Sequence, residues 1–407
     1  MPQREKADSI YWLCCGVPRA VRRAPACNSH TLHIFPPGTP VMSADNSRPA
    51  ASIPAVDRLM KQALMDGVFP GAVLLVGRGN RLLIHAAYGS ANLFTQRPMS
   101  TATVFDLASL TKPLATTLAL IRLHQQGRLE LDQCLPTVLP AFAGSDKSSV
   151  TFAQLLSHTS GLPDYRPFYL QLATRPAPER KAVLREWLVK EPLLYPPGER
   201  ALYSDLDFMI LEWVVEAVAG RRLDLFLAEE IYAPLGLTSL FFIDLNQAPP
   251  AGLYAATEQC GWRGRLIAGE VHDENAHVLG GVAGHAGLFG TAAGVHRVLS
   301  ELLRAYHHDT GSQLFDRRTV HRFFQRVPGT DKALGFDMPA SVTPSCGRFF
   351  PSTSIGHLGF TGTSFWVHLA QSFDVILLTN RIHPTRANLA IRGFRPLIHD
   401  AVMAECG

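Results

Sequence analysis

The chain of 407 residues is 47% hydrophobic and 18% charged, the make-up of an ordinary globular protein long enough for one large core or two lobes. A net charge of +4 with no basic run argues against nucleic acid as a partner, and no apolar stretch is long enough for a transmembrane segment. Seven cysteines without a C-x-x-C or Cys/His spacing exclude a standard zinc site and read as free thiols of a reducing, cytoplasmic compartment.

The first fifty residues carry six Lys or Arg against three acids. Ile10 to Val17 is short for a secretory core and runs into Pro18 and Arg19 instead of a small-residue cleavage site, so residues 1–50 read as a disordered or spurious leader, with Met42 as an alternative start. Val56, Leu59, Met60, Ala63 and Leu64 then recur at helical spacing until Gly67 and Pro70-Gly71. Ala72 to Val76 and Leu82 to Ala87 read as a β-hairpin closed by Gly77-Arg78-Gly79-Asn80. Leu110, Leu114, Leu118 and Ile121 form one helical stripe ending at Gly127. A second helix begins near Asp205, with Leu206, Met209, Ile210, Trp213 and Val214 on one face, and stops at Gly220. Strands return at Ser364 to Ala370 and Phe373 to Thr379, followed by a closing helix around Ile391 to Ala404. Strands at both ends with helices between predict an α/β fold: an antiparallel sheet flanked by helices, formed from both chain ends, with an inserted all-helical domain. The α/β part is then about 51–125 and 270–407, and the helical part about 126–269.

Three motifs carry chemistry. In Ser109-Leu110-Thr111-Lys112 the lysine sits one helical turn beyond the serine, so its amine reaches the hydroxyl and can activate it. The flanks Phe105, Leu107, Leu110 and Leu114 are apolar, so Lys112 is expected to be buried and to titrate well below a free lysine. Tyr203-Ser204-Asp205 stands at a helix mouth, where an ammonium nearby would lower the phenol pKa and make Tyr203 a general base. His357-Leu358-Gly359-Phe360-Thr361-Gly362 precedes a strand, and its glycines let backbone N–H groups approach a substrate oxyanion. Taken singly, each has a plainer reading as a helix cap, a core tyrosine or a glycine-rich hairpin.

Taken together and in this order, the three resemble the motif set of the class C β-lactamase and penicillin-binding-protein superfamily, whose relatives include D-Ala-D-Ala carboxypeptidases, D-aminopeptidases, esterases and muropeptide amidases. Leu156-Ser157-His158-Thr159-Ser160-Gly161-Leu162-Pro163, Pro196-Pro197-Gly198 and Ala233-Pro234-Leu235-Gly236-Leu237 match as well, and the resemblance runs from about residue 54 to 400. It implies that Ser109 is acylated, that Lys112 and Tyr203 move its proton, and that the N–H groups of Ser109 and Phe360 form the oxyanion hole. His357 and Gly359 would line the strand edge that holds substrate. His357 replaces the lysine of β-lactamases and Asp205 their asparagine, and both changes weaken the case for penicillin-like substrates. Val271-His272-Asp273-Glu274-Asn275-Ala276 resembles a feature of the muropeptide-amidase subgroup and reads as a loop near the cleft, with His272 and Asn275 as its candidates. The expectation is a serine hydrolase acting on small-molecule or muropeptide amides or esters, without metal or cofactor. A true β-lactamase, a D-Ala-D-Ala carboxypeptidase and a non-catalytic sensor are the alternatives, and nothing in the sequence fixes an oligomeric state.

Overall fold

The structure is a computed structural model, and it describes residues 53–79, 81–308, 312 and 314–407. The leader expected over residues 1–50, with Met42, lies outside the described residues. So does the hairpin-turn residue Asn80.

The sheet is built from β1 (Gly71–Arg78), β2 (Arg81–Asn92), β3 (Ile355–Leu358), β4 (Ser364–His368) and β5 (Phe373–Thr379), with a short strand Arg97–Pro98 on one edge. The six strands are antiparallel in the order Arg97–Pro98, β2, β1, β5, β4, β3. The join between the two chain ends is central: β1 pairs with β5 from Ala72 opposite Thr379 to Arg78 opposite Phe373.

Alternation along these strands sorts the core into two layers. Leu74 and Val76 of β1 and Val375 and Leu377 of β5 face one layer. It is closed by helices α1 (Pro54–Met65), through Val56 and Met60, and α5 (Ile391–Cys406), through Ile398 and Val402. Val73, Leu75, Ile376 and Leu378 face the other. There they meet α4 (Ala292–His307) and a continuous apolar mass that includes α2 (Leu118–Gln125) and α3 (Asp205–Ala219). With both faces covered, β1 is buried from Gly71 to Gly77, which is why its sequence is an unbroken small and apolar run.

Two elements differ from the sequence expectation. The motif His357 to Gly362 does stand before a strand, Ser364–His368, but His357 and Leu358 also belong to a strand of their own, the edge strand β3, which the pattern missed because Gly356 and His357 interrupt it. The strand begun at Ser364 ends at His368, where Leu369–Gln371 turns once as a 3-10 helix. Among the described residues no helix is long and apolar enough to cross a membrane.

Candidate active site

The nucleophile candidate is presented by a strained turn. Phe105 and Asp106 pair with Gly290 and Phe289, and Ala108 then adopts a left-handed φ of 48°, a conformation that costs a non-glycine residue about 1 kcal/mol or more. The buried Asp106 carboxylate offsets this by accepting the Ala108 N–H at 2.9 Å and the His272 N–H at 2.7 Å. Ser109 follows on the 3-10 turn Ala108–Leu110, which runs into a π-helical turn Lys112–Thr117 before α2 begins. Pro113 fits that first turn because no donor is needed there. The helix therefore opens as two irregular turns rather than as a regular α-helix, a distortion common at functional sites.

Lys112 is fully buried, and its Nζ lies 3.3 Å from Ser109 Oγ. It also donates to Asp205 Oδ1 at 2.6 Å and to the His285 carbonyl at 3.1 Å. Burial alone would lower the lysine pKa, but the charge and hydrogen bond of Asp205, joined by Tyr203, hold it above the ordinary lysine value. The expectation of a depressed lysine is therefore corrected: burial is as expected, and the ion pair reverses its effect. The Tyr203 ring centroid lies 4.8 Å from the Lys112 ammonium. Its phenol is also corrected. Enclosure raises its pKa, the lysine and Ser109 pull it down, Asp205 pushes it up, and the net direction is up.

Ser204 caps α3, its Oγ accepting the Asp207 N–H at 3.3 Å while donating to the Pro163 carbonyl at 2.7 Å. This sets Tyr203 and Asp205 on either side of the helix mouth. His158 packs on Tyr203 at 4.7 Å between ring centroids, and its Nδ1 accepts the Ser204 N–H at 3.1 Å. The same nitrogen is 3.1 Å from Asp207 Oδ2, a contact that requires the carboxyl proton. Burial supplies that state, holding Asp207 well above and His158 well below their ordinary values. His158 stood in one of the matching stretches, but its pairing with Asp207 was not legible, because a carboxylic acid kept neutral looks like any aspartate.

The third motif closes on the first. Thr361 Oγ1 donates to the Asp106 carbonyl at 2.8 Å and Thr363 Oγ1 to the Leu107 carbonyl at 3.0 Å, which ties the turn after β3 to the residues leading into Ser109. Gly359 is obligatory there, since a Cβ would lie 2.0 Å from Thr363 Oγ1 and 2.8 Å from the Leu107 carbonyl. Phe360 is 48% exposed, its carbonyl held by Arg381 and its ring stacked on His272. Its N–H meets no backbone acceptor among the described residues. His357 is buried with its ring 6.0 Å from Tyr203, and burial pushes its pKa down to about 4, so it is neutral at pH 7.

His272 and Asn275 take different places. His272 reaches the site by its main chain on Asp106 and by its ring against Phe360, with Nε2 on Glu258 at 3.0 Å. Among the described residues Asn275 bonds to none of the reacting side chains, accepting the Tyr169 N–H at 2.8 Å and donating to the Arg166 carbonyl at 2.9 Å. It is a tie between two rims. Sequence reasoning missed the residues around it: Asp273 pairs with His285 at 3.0 Å, and Arg386 bridges Glu258 and Glu274. The local density of His and carboxylate was the only signal. Among the described residues no group of three or more His, Cys, Asp or Glu is placed to hold a metal ion.

A serine at a strained turn, backed by a buried lysine at the edge of an antiparallel sheet, defines the class of active-serine acyl-transfer hydrolases. The chain belongs to the beta-lactamase family, whose profile matches residues 56–395. It is similar to an N-acetylmuramyl-L-alanine amidase of Bacillus subtilis (strain 168), 34% identical over 358 residues that span 81% of this chain and 80% of the relative. An Escherichia coli (strain K12) protein provisionally named a D-alanyl-D-alanine carboxypeptidase is 32% identical over 359 residues, 81% of this chain and 82% of its own. Among solved structures the fold is shared with EstCE1, a hydrolase with promiscuous acyltransferase activity (TM-score 0.65, 23% identity, 84% of this chain and 97% of that one). It is shared too with an octameric penicillin-binding protein homologue from Pyrococcus abyssi (TM-score 0.66, 17% identity, 86% and 78%). The protein is thus a serine hydrolase working through an acyl-enzyme on amide or ester substrates.

Proposed function

We propose that the chain is an amidase of muropeptide-like substrates in which Ser109 is the acylated residue. The observation that carries the reading is the contact of Lys112 Nζ with Ser109 Oγ at 3.3 Å and Asp205 Oδ1 at 2.6 Å. A lysine held as ammonium accepts no further proton, so it serves as a relay: it passes one proton to Asp205 as it takes the Ser109 proton, freeing the serine oxygen to attack the carbonyl carbon. Tyr203, protonated at rest, is placed to give its proton to the departing amine. The N–H groups of Ser109 and Phe360 would hold the developing oxyanion, with His357 and Gly359 lining the substrate edge.

The amide preference is supported by the Bacillus subtilis relative and by the neutral His357, which offers no fixed cation to a penicillin carboxylate. Residues 51–407 would form one hydrolase unit, with its α/β part about 51–125 and 270–407 and its helical part about 126–269. A cytoplasmic location belongs to it too, supported by four free cysteines among the described residues. Intact mass spectrometry after exposure to a fluorophosphonate and, separately, to muropeptides tests it. A single adduct mapping to Ser109 and lost in Ser109→Ala is expected; an adduct on Ser157 or Ser160 removes the basis of the reading.

A further inference from the structure

The buried lysines Lys112 and Lys147 each lie against a carboxylate, Asp205 and Asp146. Two buried arginines do not. Arg381 and Arg395 are each 6% exposed, and among the described residues their hydrogen bonds go to backbone carbonyls and neither forms an ion pair. Taking a guanidinium out of water without a counter-ion is costly. Two of them at one place point to a negative charge that arrives there during function.

That place is the turn carrying the Phe360 N–H. Arg395, near the start of α5, donates from Nη2 to the Gly359 carbonyl at 3.3 Å and to the Thr363 carbonyl at 2.8 Å. Arg381, two residues past β5, donates from Nε and Nη2 to the Phe360 carbonyl at 3.0 and 2.6 Å. The peptide groups on both sides of Phe360 are therefore held by cations. The Gly359 carbonyl and the Phe360 N–H are the two ends of one peptide group. A positive donor on its oxygen draws electron density from its nitrogen and makes the N–H a stronger donor. The turn does not need Arg395 to satisfy its backbone: the Gly362 N–H already bonds the Gly359 carbonyl at 3.1 Å, and the Gly359 N–H bonds the Thr363 carbonyl at 2.7 Å. What the side chain adds is charge. Burial, with Arg381 and Arg392 as like charges nearby, lowers its pKa to about 10, which leaves it a cation at neutral pH. Its buried Nε has no acceptor among the described residues, so it is not seated as a fully satisfied structural group.

We propose that Arg395 is a positioning residue of the acyl-transfer reaction: by donating to the Gly359 carbonyl it strengthens the Phe360 N–H toward the oxyanion, and the charge of the tetrahedral intermediate is the counter-ion that the resting protein lacks. The inference rests on Ser109 and the Phe360 N–H as assigned in the proposed function, and adds the source of that donor's strength. It does not depend on which amide or ester is cut. The test compares the full chain with Arg395→Met, which is neutral, and Arg395→Lys, which restores the charge. Hydrolysis of p-nitrophenyl acetate gives kcat/KM, and inhibition by phenylboronic acid, which becomes a tetrahedral anion on a reactive serine, gives its affinity. Arg395→Met should lower both by the same factor, roughly tenfold and so less than the loss of a whole oxyanion donor. Arg395→Lys should recover most of both. The melting temperature of Arg395→Met should not fall, because removing an uncompensated buried charge relieves its cost; if that variant does not fold, Arg395→Gln carries the comparison. A neutral variant with wild-type kcat/KM, a lysine variant no better than the neutral one, or lost turnover with unchanged boronate affinity would each overturn the role. Failure of the function is seen separately. Turnover and boronate binding that survive Ser109→Ala remove Ser109 as the acylated residue, whereas loss of both there and of neither in Arg395→Met removes Arg395 alone.

Discussion

Asp205 is one atom away from the asparagine that β-lactamases carry in its place, and that atom sets the charge state of the buried lysine. Under the proposed relay the carboxylate that raises the Lys112 pKa also takes its proton, so acylation would need no free lysine. In Asp205→Asn the raising effect goes and burial lowers the lysine pKa. The amine must then lose its proton before it can act as base. The kcat/KM of Asp205→Asn for a p-nitrophenyl ester should therefore rise with pH across about 6–9, while the wild type stays nearly flat over that range. Superposable profiles would show that Asp205 does not govern the lysine. His357 supports a second prediction. A ring whose pKa is about 4 carries no charge at pH 7, so the wild type should hydrolyse nitrocefin more slowly than it hydrolyses its best amide or ester. Equal rates would bring the β-lactamase alternative to the front. The side chains at this scale were legible in the sequence because Ser109 to Lys112 is a local spacing. Their protonation was not, because the partner that decides it lies 93 residues away. The same holds for the Glu258–Arg386 pair, separated by 128 residues.

At the scale of elements, the turn Gly359 to Thr363 is the part with least freedom. It is fastened by Thr361 and Thr363 to the strand before Ser109, and by the buried Arg395 of α5, which donates to the Gly359 and Thr363 carbonyls at 3.3 Å and 2.8 Å. A methyl at Gly359 clashes with both the Thr363 side chain and the Leu107 carbonyl, and relieving the clashes moves Phe360 relative to Ser109. Gly359→Ala should lower kcat/KM about a hundredfold or more, the cost of losing one oxyanion donor, with the far-ultraviolet circular dichroism unchanged. A variant with normal turnover would mean that the turn has slack. The sequence showed the glycines here but not the strand that carries His357. Four residues with a glycine and a histidine in the middle make too weak a β pattern, and only pairing with β4 makes them a strand. The helix at Asp205 was plain beforehand, since its cap residue, apolar face and terminal Gly220 all agree.

For the whole molecule, the two layers around the sheet are closed by helices that lie within the described residues. Val56 and Met60 of α1 already meet Ile398 and Val402 of α5 over the strands β1 and β5. A chain beginning at Met42 should thus melt within roughly 2 °C of the full chain, given that about 1 kcal/mol moves the midpoint of a large domain by about 2–4 °C, and it should keep full esterase turnover. A larger fall would mean that the leader packs on the body. The sandwich of sheet and helices was readable from strands at both ends and helices between. The contact of Tyr169 with Trp262 was not, because it exists only once two segments far apart in the chain have been brought together.

The seam between β1 and β5 has a consequence for how the protein is made. The neighbour of the first long strand comes far later in the chain, so a nascent chain carries the apolar edge of Gly71–Arg78 uncovered until Phe373–Thr379 has been made. Such an edge recruits other strands, and the exposure is longest when elongation stalls. It also makes the enzyme self-auditing. A product truncated before Phe373 contains Ser109, Lys112, Tyr203 and Asp205 yet lacks the strand that joins the two halves of the sheet, so the proposed site can assemble only after Phe373–Thr379 has been synthesised.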